Sequence, residues 1–353
     1  MKRALITGIT GQDGAYLADF LLKKNYKVFG LYRRSSTPNF WRLQALKIVD
    51  KITLIPADMT DMASLLEAIK MSDPDEIYNL AAQSYVGASF DQPLTTAQVD
   101  GIATITLLEV IRILGENIRF YQASTSELYG DSVNGYKGQN EKTPFQPNSP
   151  YALAKLYSFH AVRIYRETYG IFACNGILFN HESPLRGLEF VTRKITNAIA
   201  RIKLGLQDKL YLGNLDAKRD WGFAPDYVDA MWRILQQKKP EDFVIATGET
   251  HSVKEFVQEA FKTAGLDWKK FVVYNKKLER PRDVNYLKGD FSKAKRRLKW
   301  KPNTKFKSLV KKMVAADIER WKKNEKGERF PWDALNYPEN LDIRQREKRK
   351  IFD

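Results

Sequence analysis

The chain has 353 residues, with 58 lysines and arginines against 42 acidic residues and a formal net charge of +16, long enough to bury a large core as one main domain with a smaller lobe interleaved. One cysteine, Cys174, excludes an intrachain disulfide framework; with no signal peptide and no apolar run of about 18 residues, a cytoplasmic protein with no membrane partner is expected. Much of the basic excess lies late, in Lys293–Arg297, Lys311-Lys312 and Arg344–Lys350, and without a nucleic-acid motif, repeat or low-complexity tract it reads as solvated faces rather than a nucleic-acid surface.

Arg3 to Thr7 (RALIT) predicts a buried strand, and Gly8-Ile-Thr-Gly11-Gln-Asp-Gly14 then opens an amphipathic helix from Ala15 to Lys24. A strand, a Gly-rich turn and a helix in that order cradle a pyrophosphate at the helix N-terminus, with glycines where backbone must approach phosphate. A second strand, Lys27 to Tyr32 (KVFGLY), ends in Arg33-Arg34-Ser35-Ser36. An acidic residue there would suit the ribose hydroxyls of NAD, whereas a guanidinium suits the 2′-phosphate, so NADP is the expected cofactor. Ile52 to Ile55 predicts a third strand, with Asp58 and Met59 at the adenine, and Glu76 to Leu80 a fourth, with Ala81, Ala82, Gln83 and Ser84 passing beneath the cofactor. Strand and helix patterns alternate to about residue 180, which argues a doubly wound parallel sheet of the Rossmann type.

Arg119 to Ala123 predicts a fifth strand, and Thr125-Ser126-Glu127 follows at its carboxyl end, where open α/β sheets bind ligands. Tyr151-Ala-Leu-Ala-Lys155 begins 24 positions after Glu127. The spacing puts phenol and ammonium one turn apart on one helix face. Tyrosine ionises near pH 10 in water, so a neighbouring cation is expected to bring the phenolate within reach. Such a pair can move a proton while NADP moves a hydride. The three histidines contain no H-x3-H pair, so no catalytic metal is expected.

The G-x2-G-x2-G turn is similar to that of extended short-chain dehydrogenases. The segments ALITGITGQDGAYLADFLL, YQASTSELYG, SPYALAKLY, NGILFNHESPLRG, FVTRKIT, GNLDAKRDWGFAPDYVDAMW and DFVIATGETHSVKEFV together resemble the GDP-mannose 4,6-dehydratase family, from residue 1 to roughly 320. The resemblance implies conversion of GDP-D-mannose to GDP-4-keto-6-deoxy-D-mannose, by oxidation at C4, elimination of water across C5 and C6, and hydride return to C6. It also implies roles. Tyr151 would deprotonate O4, with Lys155 holding the phenolate and the cofactor ribose; Thr125 would orient O4; Glu127 would abstract the C5 proton and protonate the departing 6-hydroxyl. Gly8, Thr10, Gly11, Gln12, Asp13, Gly14, Arg33, Asp58, Met59, Leu80, Ala82, Gln83, Ser84, Thr95, Tyr151, Lys155, His181 and Arg186 would bind cofactor. Ser84, Thr125, Ser126, Glu127, Tyr151, Asn180, Val191, Lys194, Gly213, Arg219 and Arg280 would bind the GDP sugar, the arginines suiting a diphosphate through paired hydrogen bonds.

The expected organisation is an NADP-binding domain over 1–180, to which a stretch at about 215–250 returns, a smaller α/β sugar-nucleotide lobe over 181–325, and a tail over 326–353. Departures from the family pattern are Leu185-Arg186 in place of an arginine pair, Phe223 in place of a histidine, a longer loop over Asp131 to Asn140, and the tail with Trp332 and Tyr337. These bear on the sugar more than on the reaction. The alternatives left open are the same chemistry on a GDP-manno-heptose or a GDP-N-acetylhexosamine, a nucleotide-sugar 4-epimerase or reductase, and a cofactor-sensing binding protein, which the intact Tyr151 and Lys155 disfavour. A homotetramer, a dimer of dimers paired through helices of the cofactor domain, is expected, with Phe40 and Trp41 exposed on a loop from Arg33 to Arg42 that reaches a neighbour.

Overall fold

The computed structural model describes residues 1–36, 39–115, 117–132, 138–279 and 282–328. Its main elements run β1 (Arg3–Thr7), α1 (Gln12–Lys23), β2 (Lys27–Tyr32), β3 (Thr53–Pro56), α2 (Met62–Ser72), β4 (Glu76–Asn79), α3 (Ala103–Leu114), β5 (Arg119–Thr125), α4 (Pro150–Tyr169) and β6 (Ala173–Leu178). They continue through α5 (Val191–Lys203), β7 (Leu210–Leu212), α6 (Ala224–Leu235), β8 (Phe243–Ile245), α7 (Val253–Ala264), β9 (Val272–Tyr274) and α8 (Phe306–Glu325). Seven strands form one parallel sheet in the order β8-β6-β5-β4-β1-β2-β3. This is a Rossmann-type doubly wound sheet, and its order reverses between β1 and β4, where such sheets open a ligand crevice at their carboxyl ends.

The apolar runs of the strands follow from burial on both faces. Ala4 and Ile6 of β1 pack with Leu17 and Leu21 of α1 and Met231 and Ile234 of α6. Leu5 points to the other face, among Leu65 of α2, Leu107 of α3 and Val162 of α4. A separate core joins Ile195 and Ile199 of α5, Phe256 and Phe261 of α7, and Leu309 and Met313 of α8, beside the parallel pair β7 and β9. The chain thus leaves the large sheet after β6, returns to it with α6 and β8, and leaves again.

Several sequence-based expectations shift. The first helix starts at Gln12 rather than Ala15, because Gly11 already takes the N-cap position; β5 runs on to Thr125, so the Thr125 side chain sits on the strand end itself. The expectation of an exposed aromatic loop is corrected. Trp41 opens a short helix, Trp41–Ala45, and is 5% exposed, with the Arg42 guanidinium 4.3 Å over its ring. Phe40 packs edge-on against Tyr32, centroids 5.1 Å apart. Both rings leave water within their own chain, the favourable course for large apolar groups, and only Arg33–Ser36 and Asn39 of this loop stay exposed among the described residues. Thr37, Pro38, residues 133–137 of the loop 131–140, and Trp332 and Tyr337 of the tail lie outside the described residues.

Candidate active site

One cavity of about 680 Å³ opens at the point where the strand order reverses. Every site residue singled out from the sequence lines it except Arg280, which lies outside the described residues. Beneath its lining segment Leu80–Ser84 lies a polar network across three strands. The Thr7 hydroxyl donates to Asn79 Oδ1 at 2.7 Å and accepts from the backbone N–H groups of Leu80 and Ala81, each at 3.0 Å. Asn79 in turn donates to Gln122 at 2.7 Å. These bonds fix where the 80–84 segment leaves the sheet.

The Gly-rich turn follows β1 closely enough that side chains are excluded. Gly8 has φ +66, and a Cβ there would lie 2.8 Å from the Ala81 backbone; at Gly14 it would lie 2.4 Å from Gly8 O. The N-cap of α1, Gly11, offers no side chain to the first turn, which leaves that turn suited to an anion. His181 ties the turn to the far wall through Nε2 to Asp13 at 2.7 Å, while Nδ1 bonds Phe179 O at 2.7 Å and the ring stacks on Tyr227. Burial opposes charge on both partners, yet the Asp13–His181 attraction and hydrogen bond outweigh it, lowering Asp13 and raising His181. Gln12 adds bonds to His181 O at 3.1 Å and from the Ser183 hydroxyl at 2.7 Å. At the other end, Arg33 is exposed at the end of β2, and Asp58, bonded by Thr60, is held below its usual value, with the Arg33 charge contributing.

Helix α4 is fixed at its start by Ser149, whose hydroxyl accepts from Ala152 N at 3.1 Å, and by Pro150 in the first turn. It carries Tyr151 and Lys155, 8% and 2% exposed. Lys155 Nζ lies 5.9 Å from the Tyr151 ring centroid and donates to Ala123 O at 3.3 Å. Opposite, β5 delivers Thr125, and a single 3₁₀ turn, Ser126–Tyr129, turns Glu127 into the same cavity, 8% exposed. The Thr125 hydroxyl accepts from Glu127 N at 3.2 Å and shares a hydrogen bond with Tyr151. The cation expected to favour the Tyr151 phenolate does not by itself set the direction of its shift. Burial dominates and raises Tyr151, with Asp100 and Glu127 raising it further and Thr125 and Arg186 opposing. Burial also lowers Lys155.

The sugar-nucleotide side holds Asn180, whose Oδ1 is buried without a hydrogen-bond partner, with Val191, Lys194 and Gly213. Arg219 pairs with Asp283 at 2.7 Å and donates to Val284 O at 2.6 Å. The Arg186 guanidinium lies 3.6 Å over the Phe190 ring and pairs with Glu182 at 3.2 Å. The sequence reading missed Glu182, Glu189, Phe190 and Asp283 on the cavity wall, Arg42, which donates to Thr10 O and Leu185 O beside it at 2.9 and 2.7 Å, and Asp100 beneath it. Glu182 adjoins the recognised His181 and was within reach; the others depend on pairings between distant segments.

A family model described as GDP-mannose 4,6 dehydratase matches residues 5–313. The GDP-mannose 4,6 dehydratase of Drosophila melanogaster is 53% identical over 348 residues, covering 92% of this chain and 88% of the relative. Among solved structures, a UDP-glucose 4-epimerase of Thermotoga maritima with UDP-glucose superposes with TM-score 0.79 at 23% identity, over 90% of this chain and 99% of that one. A dTDP-glucose 4,6-dehydratase of Bacillus anthracis in complex with NAD does so with TM-score 0.78 at 23% identity, over 92% and 98%. The solved structures share the fold alone; the family model and the 53% identity to the Drosophila relative carry the assignment, and the chain belongs to the GDP-mannose 4,6-dehydratase family.

Proposed function

We propose that this chain converts GDP-D-mannose to GDP-4-keto-6-deoxy-D-mannose with NADP as its resident cofactor. The observation that carries the reading is Glu127, a buried carboxyl facing the same cavity as Tyr151 and Lys155, because a simple 4-epimerase has no task for a second acid-base group there. The cradle suits a dinucleotide: Gly8 and Gly14 admit no side chain, the first turn of α1 has no side-chain cap, and the end of β2 offers Arg33 and no acid. When bound, NADP supplies reversible hydride storage with no net redox change over a turnover. Tyr151 then takes the proton of the sugar O4, Thr125 orients that oxygen, and Lys155 supplies the compensating cation. Once C4 is a ketone, Glu127 removes the acidified C5 proton and protonates the departing 6-hydroxyl. Asn180, Lys194, Arg219 and Arg280 hold the GDP diphosphate and sugar, and Ser84, Ser126, Val191 and Gly213 complete the wall. The test is loss of one water from GDP-D-mannose, followed by mass. Glu127→Gln should keep the fold and bound cofactor and lose about 10²- to 10⁴-fold in turnover; wild-type turnover in that variant would overturn the reading.

The working assembly in this reading is a cytoplasmic homotetramer of two dimers. Support comes from α3, α4 and the turn before α3, which pack together and leave Ile102, Ile113, Leu153, Tyr157, Ile164 and Tyr169 more than half exposed. Such a run of apolar groups is costly in water and suits a second copy. Leu153, Tyr157 and Ile164 share one helix face.

A further inference from the structure

We infer that Asp100 is the buried counter-charge of the Tyr151–Lys155 pair, a positioning residue whose charge favours the protonated form of both partners and so sets the pH at which Tyr151 exchanges its proton. Asp100 lies in a π-helical turn, Ala97–Ile102, immediately before α3 and packed against α4. Such a turn admits one residue more than an α-helix and is frequent at functional sites. The side chain is 1% exposed. Oδ1 accepts from Gln83 N at 2.7 Å, holding the segment that passes beneath the cofactor. Oδ2 is buried and has no hydrogen-bond partner. A carboxylate oxygen left so is expensive unless something nearby needs its charge.

Lys155 stands on α4, the helix against which this turn packs. Its ammonium has three donors, and one is used on Ala123 O. Burial disfavours its charge, and Asp100 is the group whose field opposes that loss; Lys155 in turn opposes the rise of Asp100, which burial pushes to about 6. The charged groups bearing on Tyr151 are Asp100 and Glu127, which disfavour the phenolate, and Arg186, which favours it, beside the Thr125 hydroxyl. The sign follows. Removing the Asp100 charge lowers the proton affinity of both Lys155 and Tyr151, so the pair deprotonates at lower pH, and Lys155 is held less firmly as the cation.

This inference rests on the acid-base roles proposed above, and its test separates the two. Cofactor-loaded wild type, Asp100→Asn and Asp100→Ser are compared in two records: the acid limb of turnover against pH, and the ultraviolet tyrosinate titration after subtraction of Tyr151→Phe in the same background. Both midpoints should fall by about one pH unit in the variants. An unchanged midpoint with reduced turnover would overturn the inference, since a merely structural Asp100 changes amplitude alone. So would failure of both variants to fold with cofactor, which would make Asp100 only an anchor for Gln83. The tyrosinate record needs no sugar, so it stands even if wild type fails to dehydrate GDP-D-mannose, an outcome that sinks only the substrate reading.

Discussion

His181 and Asp13 form an ion pair whose contribution can be dated by pH. His181 is raised in the folded chain, so its stabilisation is complete below the ordinary histidine value and is lost as pH rises through the raised one. Asp13 is lowered, so its share is complete above the ordinary aspartate value and is lost only as pH falls through the depressed one. His181→Gln should therefore reduce Tm most between about pH 4 and 6.5, and the gap to wild type should close on the alkaline side. Calorimetry across pH checks this, and a gap independent of pH would remove the charge from the account. Side chains of this kind were unevenly legible. Tyr151 and Lys155 could be paired from spacing alone, because a helix fixes the geometry of positions four apart. Asp100 could not: its turn departs from the 3.6-residue period on which such arguments rest, and its partners come from residues 83 and 155.

Helices α5 and α8 are bolted together by charge rather than only by their apolar faces. Arg193 Nε donates to both oxygens of Asp317, at 3.0 and 2.9 Å, Thr196 donates to the same carboxylate at 2.6 Å, and Arg320 pairs with it from the next turn. Arg193 and Asp317 are both fully buried. The same guanidinium donates to the carbonyls of Pro184 and Arg186, each at 2.8 Å, so the latch also holds the cavity segment that carries Arg186. Asp317→Ala strands a buried cation and should cost about 3–5 kcal/mol in urea unfolding. A loss below about 1 kcal/mol, the scale of a surface pair, would show that the arginines are satisfied without it. The first five strands of the main sheet were legible to within a residue or two because burial on both faces writes them as apolar runs; β6 and β8 were not placed. The latch was not: Asp317 falls in a helix whose sequence is otherwise alternating charge and apolar groups, and nothing local marks it as internal.

For the molecule as a whole, the doubly wound class was readable from alternation up to about residue 180, and the late basic stretch was read as a solvated face. Part of that stretch is neutralised in place, Lys293 and Arg297 both pairing with Glu241 at 3.0 and 2.6 Å. Phe40 and Trp41 pack within their own chain, so their exposure no longer argues for assembly; burial within one chain competes with burial between chains, and a sequence cannot say which wins. The outward face of α4 gives a better handle. A Leu153→Asp, Ile164→Asp double variant should elute and scatter as a smaller species than wild type while keeping its far-ultraviolet spectrum, since two buried carboxylates at the centre of an interface are poorly tolerated. An unchanged mass would place the contact elsewhere.

The hydroxyl of Thr7 grips backbone groups 73 and 74 positions away, and Gly8 leaves no room for a methyl against Ala81. The phosphate cradle is consequently not a local motif that the first thirty residues could form by themselves. Its shape is completed only when the fourth strand docks beside the first, after the entropy of closing a long loop has been overcome. A nascent chain or fragment ending before Glu76 carries the whole glycine signature and lacks the surface that gives it form. In this protein the most recognisable stretch of sequence thus acquires its working geometry only once the segment at Leu80 and Ala81 is in place.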